Sequence, residues 1–247
     1  MSDAPVIHVE DLSIGWGDRV LMEHLTFDVP AGDIFAILGG SGSGKSTLLR
    51  NMIGLETPMA GQVHIKGVDE SDDDDGPPAF GVLFQSGALF GSMTVGENVA
   101  LPLKQWTDLD DQSIDAIVHA KLALVGLAGS EPQLPSEISG GMKKRAGIAR
   151  ALALDPPIMF LDEPSAGLDP VSSVELDMLI RTLSDSLGVT TVIVTHELQS
   201  IFAIAKHCIM LDKDARGIIA QGDPRALRDT STDPRVARFL NRRAGEE

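Results

Sequence analysis

Short apolar runs alternate along the chain with stretches whose apolar residues recur at helical spacing. That alternation predicts an α/β fold. Ile34-Phe35-Ala36-Ile37-Leu38 has no polar position, as expected of a strand covered on both faces. Residues 158–161 and 191–194 are expected to form two more buried strands. Two early strands are expected at 6–12 and 24–29, with Pro30-Ala31-Gly32-Asp33 turning the chain after them. Helices are predicted over 45–53, 171–187 and 197–205. A strand pair near 208–211 and 217–220 precedes a short basic helix around 236–243. From 94 to 153 the pattern is mostly helical, with one stretch at 115–125 and another opening near Ser139. The expectation is a single domain: a core of residues 1–84 and 154–222, a helical insertion over 85–153, and a short tail over 223–247.

A length of 247 residues with 43% apolar content suits one large domain with a modest insertion. The net charge of -16 argues against a nucleic-acid partner, because phosphate contacts need clustered Lys and Arg. The single cysteine, Cys208, can form no internal disulfide and no multi-cysteine zinc site. Within His207-Cys208-Ile209-Met210-Leu211 it is expected to be a buried strand residue, and a reducing compartment is its natural home. Met1-Ser2-Asp3-Ala4-Pro5 lacks the basic-then-apolar pattern of a signal peptide, and no run of about 18 apolar residues occurs. If the protein acts in transport, another chain must supply the passage. The consecutive acids Asp72 to Asp75 repel one another, so a solvated loop is expected there rather than a metal cage.

The chemistry begins after the third strand. Gly39-Gly40-Ser41-Gly42-Ser43-Gly44-Lys45-Ser46 fits the phosphate-binding loop pattern G-x-x-x-x-G-K-[ST]. Glycines let the main chain turn tightly and aim several N–H groups inward, and the helix that follows directs its positive end at the phosphates. Lys45 adds a cation for the β and γ phosphates, and Ser46 offers a hydroxyl to Mg²⁺. Asp162 and Glu163 stand at the end of the apolar run 158–161. Asp162 is placed to hold Mg²⁺ through water, and Glu163 to polarise an attacking water. His196 follows a strand and is expected on the same carboxyl edge as the phosphate loop, near a γ phosphate. Ser139-Gly140-Gly141-Met142 opens a second anion-seeking helix end, with Lys143, Lys144 and Arg145 just after it.

In this order the phosphate loop, Gln85, Ser139-Gly140-Gly141, Asp162-Glu163, Ser165-Ala166-Gly167-Leu168-Asp169 and His196 resemble the nucleotide-binding domain of ABC transporters. The resemblance covers residues 6–222. It implies a P-loop ATPase fold with a RecA-like core, an N-terminal antiparallel β part and a helical subdomain. Ser41, Gly42, Ser43, Gly44, Lys45, Ser46 and Thr47 resemble the Walker A cradle. Gln85 resembles the Q-loop glutamine, which contacts Mg²⁺ and the attacking water and links the site to a membrane partner. Ser139, Gly140 and Gly141 resemble the signature motif, although Met142 stands where the family usually has Gln. Asp162 and Glu163 resemble the Walker B aspartate and catalytic glutamate, Asp169 the D-loop aspartate, and His196 the switch histidine. Trp16 falls where the family has an aromatic stacking on adenine; a core tryptophan is the alternative. ATP and Mg²⁺ are the implied ligands. Two cassettes pack head to tail in this family, so a homodimer is the implied working unit.

Phe84-Gln85-Ser86-Gly87-Ala88-Leu89-Phe90, Met142 and Phe202-Ala203-Ile204-Ala205 together resemble the ATPases of Mla/Mce-type lipid transporters. That resemblance implies phospholipid transport with a multispanning permease and an Mce-domain lipid-binding protein. It also implies a place on the cytoplasmic face of the inner membrane. A cassette for a small polar solute such as an amino acid is the alternative. Phe84, Leu89, Phe90 and Met93 are expected to form the permease-docking patch. The tail carries Arg235, Arg238, Arg242 and Arg243, and reads equally as a dimer strap or a solvated basic helix. A ribosome- or DNA-associated ATPase fits poorly with one cassette and an acidic balance. A P-loop kinase or GTPase would leave Ser139-Gly140-Gly141 unexplained.

Overall fold

The computed structural model describes residues 5–68 and 76–241. The acidic run Asp72 to Asp75, Arg242 and Arg243 lie outside the described residues. In chain order the first elements are β1 (Ile7–Trp16), β2 (Arg19–Val29), β3 (Ile34–Gly39), α1 (Lys45–Met52), β4 (Ala60–Ile65), β5 (Phe80–Leu83) and α2 (Val95–Trp106). There follow α3 (Asp111–Leu124), α4 (Gly140–Ala151), β6 (Ile158–Asp162), α5 (Pro170–Leu187), β7 (Thr190–Val194) and α6 (Leu198–Ile204). The chain ends with β8 (His207–Asp212), β9 (Gly217–Gly222), α7 (Pro224–Thr230) and α8 (Pro234–Leu240). Among the described residues, 5–68 and 190–241 form one compact unit and 76–189 another.

The first unit contains two sheets. β1 pairs antiparallel with β2 on one side and β4 on the other. In the second sheet β3 pairs parallel with both β7 and β8, so Ile37 sits opposite Val194 and Ile209, and β9 closes the edge antiparallel to β8. Every residue of β3 and β7 is buried, which is why both read as unbroken apolar runs. Burial also pushes the Cys208 thiol, opposite Ala36, up to about 12, with the Asp223 charge adding to the shift. β1 and β2 run longer than the expected 6–12 and 24–29. Their register is irregular between Val9 and Gly15, with Asp11 at φ 47° and His24 at φ 53°, and this breaks the alternation that marks a strand. The tail joins this unit. Val236 and Leu240 of α8 are buried, while Arg235 and Arg238 are exposed and Arg235 bonds Asp233 and Asp212 (2.7 and 3.0 Å).

The second unit joins the parallel pair β5–β6 to helices α2 to α5. Helix starts here follow capping rules: Thr94 and Glu97 form a reciprocal box at α2, and Asp110 accepts from Ser113 N (2.7 Å) at α3. Asp110 therefore starts α3 earlier than the 115 expected from its apolar spacing. Phe160 of β6 meets Phe80 of β5 edge-on. No helix among the described residues is long and apolar enough to cross a membrane.

Candidate functional site

The predicted nucleotide residues fall in both units. Trp16, the phosphate loop and His196 belong to the first. Gln85, Ser139 to Gly141, Asp162, Glu163 and Asp169 belong to the second.

In the first unit, β3 delivers the chain to the loop and α1 takes it away. Gly39 has φ 151°, and a Cβ there would run into Ser43 Oγ and the Leu211 carbonyl, so only glycine lets the strand turn at that point. Gly44 caps α1 at φ 82°. Lys45 is buried, and its Nζ donates to the carbonyls of Gly39 and Gly40 at 3.0 Å each. Ser43 and Thr47 are buried beside it, while Ser41 and Gly42 are exposed and Ser46 is half-buried. His196 lies exposed two residues beyond the end of β7. Trp16 ends β1 with 52% of its surface exposed, so it is not a core tryptophan.

In the second unit, β6 ends on Asp162, which is buried, and Glu163 follows at φ 47°. A non-glycine residue in the left-handed region costs about 1–3 kcal/mol and persists only where its surroundings hold it. Lys144 of α4 supplies part of that hold. Its Nζ donates to the Glu163 carbonyl (3.2 Å) and to the Gln85 carbonyl. Burial holds the Lys144 amine below its usual range, and the carboxylates of Asp162 and Glu163 offset this only in part. Gln85 sits exposed in a tight turn closed by Gly87 N donating to Phe84 O (2.7 Å). Ser139 caps α4 by accepting from Met142 N (3.2 Å), and Gly140 and Gly141 form its first turn. Asp169 caps α5, accepting from Val171 N and Ser172 N (3.0 Å each) and from Ser172 Oγ (2.6 Å). The Ser172 hydroxyl and these amides hold the Asp169 carboxyl below its usual range. Sequence reasoning placed Lys144 only in a general cationic stretch; its inward direction depends on which face of α4 meets the turn at 85.

The same unit carries an apolar groove of about 530 Å³ whose lining includes Phe80, Phe84, Phe90, Leu101, Trp106 and Leu154. Of the residues expected in a permease-docking patch, Phe84 and Phe90 line it, whereas Leu89 and Met93 do not. Phe90 is 52% exposed. Phe80, Leu101 and Trp106 were missed, because β5 has only four residues and α2 shows its apolar face only once folded.

This fold, with a phosphate loop between a buried strand and a helix and an Asp-Glu pair ending another strand, defines a P-loop ATPase. The family described as ABC transporter matches residues 22–166, and the chain belongs to it. It is an ATP-binding, ATP-hydrolysing cassette. The chain is 43% identical over 242 residues to the probable ribonucleotide transport ATP-binding protein mkl of Mycobacterium leprae, covering 96% of this chain and 69% of that one. It is 40% identical over 246 residues to the intermembrane phospholipid transport system ATP-binding protein MlaF of Escherichia coli K12, covering 97% and 90%. Among solved structures, cbiO1 of Clostridium perfringens is 27% identical with a TM-score of 0.80, covering 98% and 96%. The dimeric cassette MJ0796 bound to ADP and Pi is 27% identical with a TM-score of 0.75, covering 88% and 98%.

Proposed function

We propose that this chain powers phospholipid transport as a homodimer on the cytoplasmic face of the inner membrane. It would work beneath a multispanning permease that acts with an Mce-domain protein. The observation that carries this reading is the match to MlaF, which is nearly end to end in both chains. The name of mkl points to a ribonucleotide instead, at slightly higher identity but over a smaller share of that protein. The length match favours the phospholipid reading.

Within the site, Lys45 neutralises the β and γ phosphates while loop N–H groups hold them. Trp16 stacks on adenine. Ser46 and Asp162 offer a hydroxyl and a carboxylate, hard oxygens of the kind Mg²⁺ takes, and the ion would supply charge neutralisation between phosphates. Gln85 and Glu163 position and polarise the attacking water, and His196 steadies the γ phosphate. Ser139, Gly140 and Gly141 of a second copy close the open side of the phosphate cage, with Asp169 at the same seam. That a cassette of this fold is dimeric when bound to ADP and Pi supports a two-copy working unit. The apolar groove around Phe84 and Phe90 receives a short permease helix.

Affinity purification from native membranes in mild detergent, with mass spectrometry of proteins and lipids, tests the reading. A multispanning permease, an Mce-domain protein and bound phospholipid are expected. Recovery of a permease with a small-solute binding protein would overturn the lipid assignment and leave the ATPase intact.

A further inference from the structure

Lys144 takes no part in the nucleotide site described above, yet it is only 5% exposed. Its neighbour Arg145 points elsewhere, to the Val125 carbonyl (3.2 Å) and Glu175 (2.9 Å). Lys144 instead reaches the main chain at two separate places: the Gln85 carbonyl, and the Glu163 carbonyl at 3.2 Å. Two further residues on the same side of α4 lie against the turn that contains Gln85. At Gly147, any Cβ would press on Leu83 Cδ1 and approach the Gly87 carbonyl, so the missing side chain lets the turn lie close. Arg150 donates to the carbonyls of Ala88 (2.7 Å) and Gly87 (3.2 Å). Ala88 and Glu163 both carry positive φ, at 47° each. Both strained non-glycine residues are thus tied by a cation on one helix, and that helix opens with Ser139-Gly140-Gly141.

We propose that Lys144 is a positioning residue for hydrolysis: by donating at once to Gln85 O and Glu163 O it fixes the glutamine turn and the catalytic glutamate as one body. This rests on the roles given above to Gln85 and Glu163. Lys144 bonds main-chain oxygens, not the side-chain atoms that meet water and phosphate, so it sets where those side chains stand without taking part in the chemistry. A small displacement of a water-positioning group is enough to lower a chemical rate by about a hundredfold. Because Lys144 rides on α4, a shift of the signature helix end is carried to both groups together.

The test compares steady-state ATP hydrolysis by the full-length wild type with Lys144→Met, Lys144→Arg and Glu163→Gln. Lys144→Met removes the cation and keeps an apolar stem. Its kcat is expected to fall by about tenfold or more with KM for ATP changed by less than about twofold, and Lys144→Arg should recover most of the loss. If Lys144→Met does not fold, Lys144→Ala, which removes the donor together with the stem, must show the same split. A kcat within about twofold of wild type would overturn the proposal. So would a joint loss of kcat, ATP affinity and melting temperature that Lys144→Arg does not repair, since that marks a purely structural lysine. Glu163→Gln separates the two readings. If it hydrolyses at the wild-type rate, the roles given to the site itself fail; if it is inactive while Lys144→Met is active, only the positioning role fails.

Discussion

Replacing Phe160 by alanine tests how the strand that ends on Asp162 and leads into Glu163 is anchored. Phe160 is fully buried, and its ring meets Phe80 with centroids 5.3 Å apart and planes at 84°. Truncating a buried Phe to Ala costs about 3–5 kcal/mol. An edge-to-face pair contributes about 0.5–1.5 kcal/mol beyond the area it buries. Phe80 is only half-buried and lines the groove, so Phe80→Ala should cost less, about 1.5–3 kcal/mol. For a domain holding about 5–15 kcal/mol in total, the first change is severe and the second tolerable. Urea denaturation of the wild type, both single variants and the double variant gives the coupling energy, provided the slope with urea is unchanged. The expected coupling is about 0.5–1.5 kcal/mol. Additivity within about 0.3 kcal/mol would refute the aromatic argument, and a loss below about 1 kcal/mol for Phe160→Ala would refute the anchoring argument altogether. Phe160→Leu keeps the site apolar and should cost under about 1.5 kcal/mol while preserving ATP hydrolysis.

Three other outcomes follow from the same structure. Lys45→Ala removes the buried ammonium from the phosphate loop and should weaken MgATP binding about tenfold or more in a fluorescent-nucleotide titration, since one charge-assisted bond contributes about 1.5–3 kcal/mol. Glu163→Gln should instead keep that affinity, cut hydrolysis at least about a hundredfold and accumulate an ATP-bound dimer by size exclusion. Phe90→Asp puts a charge in the apolar groove and should abolish copurification of the permease while leaving the isolated cassette's melting temperature nearly unchanged, because Phe90 is half exposed. Cys208 gives a pH signature: its thiol titrates at about 12 when folded against 9.0 ordinarily, so the unfolded chain ionises first. Stability should be unaffected by this group below pH 9.0 and decline as pH rises from there towards about 12, more steeply than in Cys208→Ala, and thiol labelling near neutral pH should track unfolding.

What could be read ahead of the structure follows from burial. β3 and β7 are covered on both faces and carry unbroken apolar runs, so they stood out. β4 did not, because Ala60 to Gln62 are exposed and its outward residues resemble a loop. α7 has seven residues, started by Asp223 and Pro224, and is too short to show a period. The phosphate loop was readable since its chemistry demands contiguous residue types. The groove was only half readable: Phe84 and Phe90 lie in one segment, but Phe80, Leu101 and Trp106 reach it from β5 and α2. Lys144 was the hardest of all. Nothing in Lys143-Lys144-Arg145 says which cation turns inward, and the answer lies in carbonyls at 85 and 163, far away in the chain.

The most direct measurement is ATP-dependent movement of a fluorescent phospholipid by this cassette, reconstituted in vesicles with the permease and any accessory protein that copurify with it. Transfer with MgATP and none with Glu163→Gln is the predicted result. ATP hydrolysis that leaves the phospholipid in place while a ribonucleotide or another small solute crosses the vesicle wall would contradict the account.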